Sequence, residues 1–215
     1  MHMPTENSMK IYTKRKNLLL RVSKGHFATN HSHINYYIDV TMQKNRLSEA
    51  TAVAQELVGY YNTTTIVDTI LCLDGTQVIG TCLANELTRG NFMNMNAHQT
   101  IYVVTPEHTS GSQLFFRESM ASMIEGKHVL ILAASVTTGY TAQSAAEAVN
   151  YYGGYVAGIA AIFATQDTCA GHPVRSVFNP NDLQDYASHA AHECPLCKKG
   201  VKIDALVNSF GFSKL

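Results

Sequence analysis

From about residue 65 onward, apolar stretches alternate with polar turns in a regular way. Residues 65–73 are β-branched and apolar, which predicts a buried strand. Asp74-Gly75-Thr76 reads as a turn, and residues 78–87 as a helix. A polar loop at 90–98 precedes a second strand at 100–105. Residues 106–126 are long and mixed, with little period. A third strand is expected at 128–133. A helix at 141–152 follows, with Ala142, Ala145, Ala146 and Val149 on one face and Gly153-Gly154 ending it. Residues 155–164 predict a fourth strand and 174–178 a fifth.

The earlier part is less regular. Residues 10–24 suit a helix or a strand, and 25–39 read as loop leading into a short strand at 36–40. Ser48 is the expected N-cap of a helix running to about Tyr61. The alternation predicts an α/β fold, a mostly parallel sheet flanked by helices. It divides into an N-terminal segment 1–45, a core 46–180, and a C-terminal segment 181–215. Ligands of such sheets bind beyond the carboxyl ends of the strands, which points to loops 74–76, 106–126 and 133–141.

Composition narrows the class. The 215 residues are 46% hydrophobic and 15% charged, as in a globular chain with a sizeable core. Lys+Arg and Asp+Glu are both 16, so no global field draws nucleic acid. Lys10, Lys14, Arg15, Lys16, Arg21 and Lys24 form a local basic cluster, either a solvated face or part of an anion site. No apolar run suits a membrane span and no secretory signal is visible, so a cytoplasmic location is expected. Five cysteines at irregular spacing do not resemble a disulfide framework.

Two segments carry candidate chemistry. In the first, Thr137-Thr138-Gly139-Tyr140-Thr141 joins a strand to a helix. The first helical N–H groups lack internal partners and favour an anion, the threonines add hydroxyls, and Gly139 permits a positive φ. The same residues also suit an ordinary helix start capped by Thr138 or Thr141.

The stretch 129–141 resembles the phosphoribosyl-diphosphate motif of the type I phosphoribosyltransferases. In that family four apolar residues precede two acidic ones, two apolar ones, and Thr-Thr-Gly-x-Thr. Gly25-His26-Phe27, His33, Asn35, Tyr37 and Ile38 are similar to the N-terminal segment of the orotate branch. The resemblance covers about residues 20–180. It implies a phosphate cradle from Ser135 and Thr137 to Thr141, and a pyrophosphate loop at Asp74, Gly75 and Thr76. It also implies a hood over the base with His33, Tyr36 and Tyr37, and a homodimer acting in pyrimidine nucleotide metabolism.

The chain departs from that pattern at the reacting centre. The acidic pair falls on Ala133 and Ala134, which leaves Ser135 as the polar group there and little to hold Mg²⁺. The mobile loop of orotate-type enzymes carries a lysine or arginine. Here 97–122 offers only Arg117, His98 and His108, with His108 the candidate catalytic cation beside Glu107. Loss of one transition-state donor typically costs about 3–4 kcal/mol. The expectation is therefore a protein that binds a phosphoribosyl or nucleotide ligand, with transferase activity weak or lost. Two alternatives stand beside it. One is a non-enzymatic, nucleotide-sensing regulator on the same fold, and the other an unrelated doubly wound fold with a coincidental Thr-Thr-Gly turn.

The second segment is His189-Ala190-Ala191-His192-Glu193-Cys194-Pro195-Leu196-Cys197. Cys-x-x-Cys resembles half of a zinc knuckle. Cys194, Cys197, His189 and His192 are the candidate zinc ligands, with Cys169 and His172 as further donors. A redox pair and two free thiols are the competing readings. The apolar tail 201–215 is expected to pack back on the domain or on a second subunit.

Overall fold

A computed structural model describes residues 8–12, 18–89, 94–97, 100–109, 113–208 and 210–215. Lys14, Arg15, Lys16 and His98, singled out above, lie outside the described residues.

Strands β1 (Ser8–Tyr12), β2 (Leu19–Ala28) and β3 (His33–Asp39) come first. Helices α1 (Thr41–Asn45) and α2 (Leu47–Val58) follow, then β4 (Thr69–Cys72) and α3 (Gln77–Thr88). Next are β5 (Tyr102–Val104), β6 (Glu107–His108), β7 (Leu114–Phe115) and α4 (Glu118–Ala121). β8 (His128–Val136), α5 (Tyr140–Tyr151) and β9 (Tyr155–Ala164) form one βαβ unit. β10 (Thr168–Cys169), β11 (His172–Phe178), β12 (Ser188–His189) and α6 (Pro195–Lys198) precede β13 (Ala205–Asn208) and β14 (Gly211–Lys214). No helix among the described residues is long and apolar enough to cross a membrane.

The chain forms two compact units, 43–177 and a second made of 1–42 with 178–215. The N- and C-terminal segments, read separately from the sequence, thus share one unit.

In the larger unit the strand order is β10-β11-β9-β8-β4-β5. β5, β4, β8 and β9 are mutually parallel, with Ile70 opposite Leu130 and Leu132 opposite Ala160. Every side chain from Val129 to Ala134 is buried. Burial at both odd and even positions means both faces of this central strand are covered, as a parallel sheet flanked by helices requires. α5 packs on β8 and β9, and α3 on β4 and β5. The core joins Leu71, Ile131, Ile159 and Val149.

Several boundaries move for identifiable reasons. The first strand begins at Thr69 rather than 65, because the buried side chain of Asn96 occupies the main chain before it. Its Oδ1 accepts from Val67 N at 2.8 Å and its Nδ2 donates to Thr65 O at 2.9 Å. Ser48 is not an N-cap: α2 starts one residue earlier, behind Arg46, with no side-chain cap. β8 runs on to Val136, because Ser135 and Val136 still pair with Phe163 and Ala164. The mixed stretch 106–126 contains the β6–β7 pair and α4.

In the smaller unit the order is β12-β3-β2-β13-β14, with β1 also on β2. Residues 19–24, left open between helix and strand, are strand, and β2 and β3 also take in 25–28 and 33–35, expected as loop. β13 lies parallel to β2, with Ala205 opposite Phe27. Phe27, Tyr37, Ala205 and Val207 form a small core against Ile34 and Phe212. The apolar tail therefore packs back, although Phe210 stays 80% exposed.

Candidate functional site

The three loops expected to carry function follow parallel strands of the larger unit at the same edge. After β8, Gly139 takes φ +82 and ends the turn as the N-cap of α5. A Cβ there would meet Cys169 Sγ at 3.1 Å and Gln166 Oε1 at 3.4 Å, so glycine is needed for both conformation and space. No side chain caps α5, which removes Thr138 and Thr141 as ordinary capping residues. Ser135, Thr138, Tyr140 and Thr141 are exposed around the helix start, and Thr137 is half-buried. The turn is held from behind: Thr137 O accepts from Thr165 Oγ1 at 2.9 Å and from Gln166 Nε2 at 2.7 Å. Ala133 and Ala134 are each 1% exposed and end in the apolar core.

After β4, Asp74 and Gly75 both adopt positive φ, at 56° and 79°. Thr76 is fully buried, and its hydroxyl sits within reach of two carbonyls, Leu73 O at 2.8 Å and Leu132 O at 3.0 Å. The second bond ties this loop to β8. Lys44 is 5% exposed and donates from Nζ to Asp74 O at 2.8 Å. Sequence reasoning missed Lys44, because a lone lysine in a polar stretch carries no periodic signal. Thr165 and Gln166 were missed for the same reason.

After β5, His108 lies exposed in β6. Glu107 does not turn to it. Its carboxylate takes a two-pronged bond from Arg117 at 2.7 and 2.7 Å, and that ion pair holds the Glu107 carboxyl below its usual range. Arg117 also lies over the Phe115 ring at 5.3 Å. The Glu107 carboxylate is thus engaged by Arg117.

These elements can be set beside known proteins. No family model matches the chain. The chain is 27% identical over 184 residues to an orotate phosphoribosyltransferase of Chlorobaculum parvum, covering 84% of this chain and 86% of that protein. The chain is thus similar to a type I phosphoribosyltransferase, and its α/β architecture matches that fold. Solved structures of this phosphoribosyltransferase fold agree. Mycobacterium tuberculosis orotate phosphoribosyltransferase, in a complex with Fe(III) dicitrate, superposes with TM-score 0.50 at 20% identity, over 76% of this chain and 92% of that one. Leishmania donovani UMP synthase gives 0.54 at 20% identity, over 75% of this chain but only 34% of that longer one. An adenine phosphoribosyltransferase of Thermoanaerobacter pseudethanolicus gives 0.50 at 16% identity, over 80% and 95%.

The smaller unit holds a second constellation. Between Lys24–Tyr36 and Phe27–Ile34 the β2–β3 register slips by one residue, a bulge at Gly25-His26. Asp204 replaces the missing ladder, accepting from His26 N at 2.8 Å through Oδ2 and donating its own N–H to His26 O at 2.8 Å. A Cβ on Gly25 would fall 2.6 Å from Asp204 Oδ2, so only glycine admits this carboxylate. The bulge aims His26 at His33, with Nε2 3.1 Å from Nδ1 of the second ring. Cys194 Sγ and Cys197 Sγ lie 3.5 and 3.6 Å from His26 Nε2, and Cys197 Sγ 3.2 Å from His33 Nδ1. Burial, and then His26 beside it, hold the His33 ring below the ordinary histidine range.

Of the expected zinc set, the two cysteines stand with a different pair of histidines. Cys194 and Cys197 do converge, but with His26 and His33 rather than His189 and His192. His189 sits in β12 and lines a cavity of about 450 Å³, while His192 is exposed beside Glu193 at 3.6 Å. Cys169 and His172 belong to the other unit. His33, expected in the hood beside Tyr36 and Tyr37, faces this cluster. Tyr36 packs under Lys24 at 5.5 Å, and Tyr37 against Phe27 and Phe212.

Proposed function

We propose that the turn after β8 binds the 5′-phosphate of a phosphoribosyl or nucleotide ligand, and that transferase turnover is weak or absent. Ser135, Thr137, Thr138, Gly139, Tyr140 and Thr141 form the cradle in this reading, and Asp74, Gly75 and Thr76 the second anion loop. One observation carries it. The start of α5 has no side-chain cap behind a left-handed Gly139, while the two positions before Ser135 are buried alanines. The first-turn N–H direction and the helix dipole favour an anion. Buried methyl groups offer nothing to ribose hydroxyls or to a metal. The likeness to an orotate phosphoribosyltransferase supports the ligand class.

Calorimetry with nucleoside monophosphates, orotate and phosphoribosyl diphosphate, each with and without Mg²⁺, tests the proposal. Monophosphate binding that ignores Mg²⁺ is expected, together with negligible conversion of orotate. Rapid Mg²⁺-dependent formation of orotidine monophosphate would overturn the loss of turnover. Absence of any phosphate-dependent binding would overturn the cradle.

A further inference from the structure

We propose that His26, His33, Cys194 and Cys197 hold a structural Zn²⁺ ion. The four donor atoms lie within 4.8 Å of one another. With Zn–S near 2.3 Å and Zn–N near 2.0–2.1 Å, a tetrahedral ion sets an N···N edge of about 3.3 Å and S···N edges of about 3.6 Å. The observed N···N edge is 3.1 Å, and the S···N edges are 3.5, 3.6 and 3.2 Å.

Hydrogen bonding alone does not account for this packing. His26 Nδ1 faces two carbonyl oxygens, Val201 O at 2.9 Å and Lys202 O at 3.2 Å. Carbonyls only accept, so Nδ1 carries the proton and the neutral ring leaves one lone pair on Nε2. Three partners converge on that nitrogen at 3.1–3.6 Å. One lone pair serves one good donor, whereas a cation is satisfied by four lone pairs at once. The Nδ1–H to carbonyl bond is also the second-layer support that fixes the tautomer of a metal-binding histidine.

Charge agrees with burial. Binding releases one proton from each thiol, so Zn²⁺ with two thiolates and two neutral imidazoles is neutral overall. A neutral centre suits a place where His26 is 1% and Cys194 2% exposed. All four positions are protein ligands, which makes the site closed and structural. The ion would pin the turn at α6 to the β2 bulge, across 168 residues of sequence.

Metal analysis of the purified full chain tests the assignment, beside cobalt substitution read by visible absorption. One zinc per chain is expected, surviving dialysis. Cobalt should give the intense ligand-field bands of a tetrahedral thiolate site. Cys197→Ser and His33→Ala should reduce zinc to background, while His189→Ala and His192→Ala keep it. If the first two variants do not fold, cobalt titration of the wild-type chain after chelation decides the matter. Sub-stoichiometric zinc, iron in its place, octahedral cobalt spectra, or zinc retained without Cys197 would each overturn the proposal. None of these readouts depends on phosphate binding by the other unit.

Discussion

Lys44 Nζ donates to the main-chain oxygen of Asp74 at 2.8 Å from a position that is 5% exposed. A buried lysine donating to a loop carbonyl fixes the 74–76 turn. Lys44→Met keeps the stem and removes this donor. A loss of about 1–3 kcal/mol is expected, or several degrees in Tm for a chain of this size. Differential scanning calorimetry measures it; an unchanged Tm would show that the bond carries no net stability.

Thr76 joins the same loop to β8 through Leu132 O at 3.0 Å. Thr76→Val conserves shape and deletes the hydroxyl between two buried carbonyls. The expected cost is about 1–3 kcal/mol, seen as a lower urea midpoint with the same m-value. A changed m-value would instead mean that the loop unfolds separately.

Gly139 sits at φ +82. Gly139→Ala imposes a left-handed penalty of about 1–2 kcal/mol, plus a close approach to Cys169 Sγ. Nucleoside monophosphate affinity should drop about tenfold or more, because the N–H groups of α5 lose their alignment. Calorimetric titration at a temperature where the variant is folded separates this from stability, and undiminished affinity would move the phosphate elsewhere.

Asp68 accepts from His128 N and from the His128 ring, both at 2.8 Å. Burial alone would raise its carboxyl, but these bonds and the His128 and Lys127 charges bring it below the usual value. A depressed carboxyl stabilises the fold above its unfolded value, near about 3.9, and that contribution disappears as pH falls through the lower folded value. Urea midpoints measured from neutral pH down to about 3 should therefore decline more steeply for the wild type than for Asp68→Asn. Parallel curves would remove Asp68 from the acid response.

Much of the larger unit was legible because its signals are local. The run from Val129 to Ala134 is apolar at every position, and Gly153-Gly154 stops α5 where expected, with Gly154 N bonded to Val149 O at 2.9 Å. The Thr-Thr-Gly turn declared its geometry through a single glycine. The His/Cys cluster was only half legible. Cys194 and Cys197 advertise themselves by spacing, but their partners arrive from β2 and β3 through a bulge and an Asp204 bridge that no local pattern encodes. His189 and His192 looked better only because they are near in sequence. Lys44, Thr165 and Gln166 act on main-chain carbonyls, and that kind of bond leaves no trace in residue spacing.

The parallel pairing of β13 with β2 has a consequence for how the molecule is made. Asp204 answers His26 across 178 positions, so the smaller sheet has no complete edge while the ribosome is still at work on residues 43–177. The larger unit, whose strands follow one another closely, can fold during synthesis. β2 and β3 must wait with a half-built sheet and an open bulge until the last strands emerge. Completion of the smaller unit is therefore a late, long-range step, and truncating the chain before Ala205 should leave β2 without its parallel partner while β1, β3 and β12 remain.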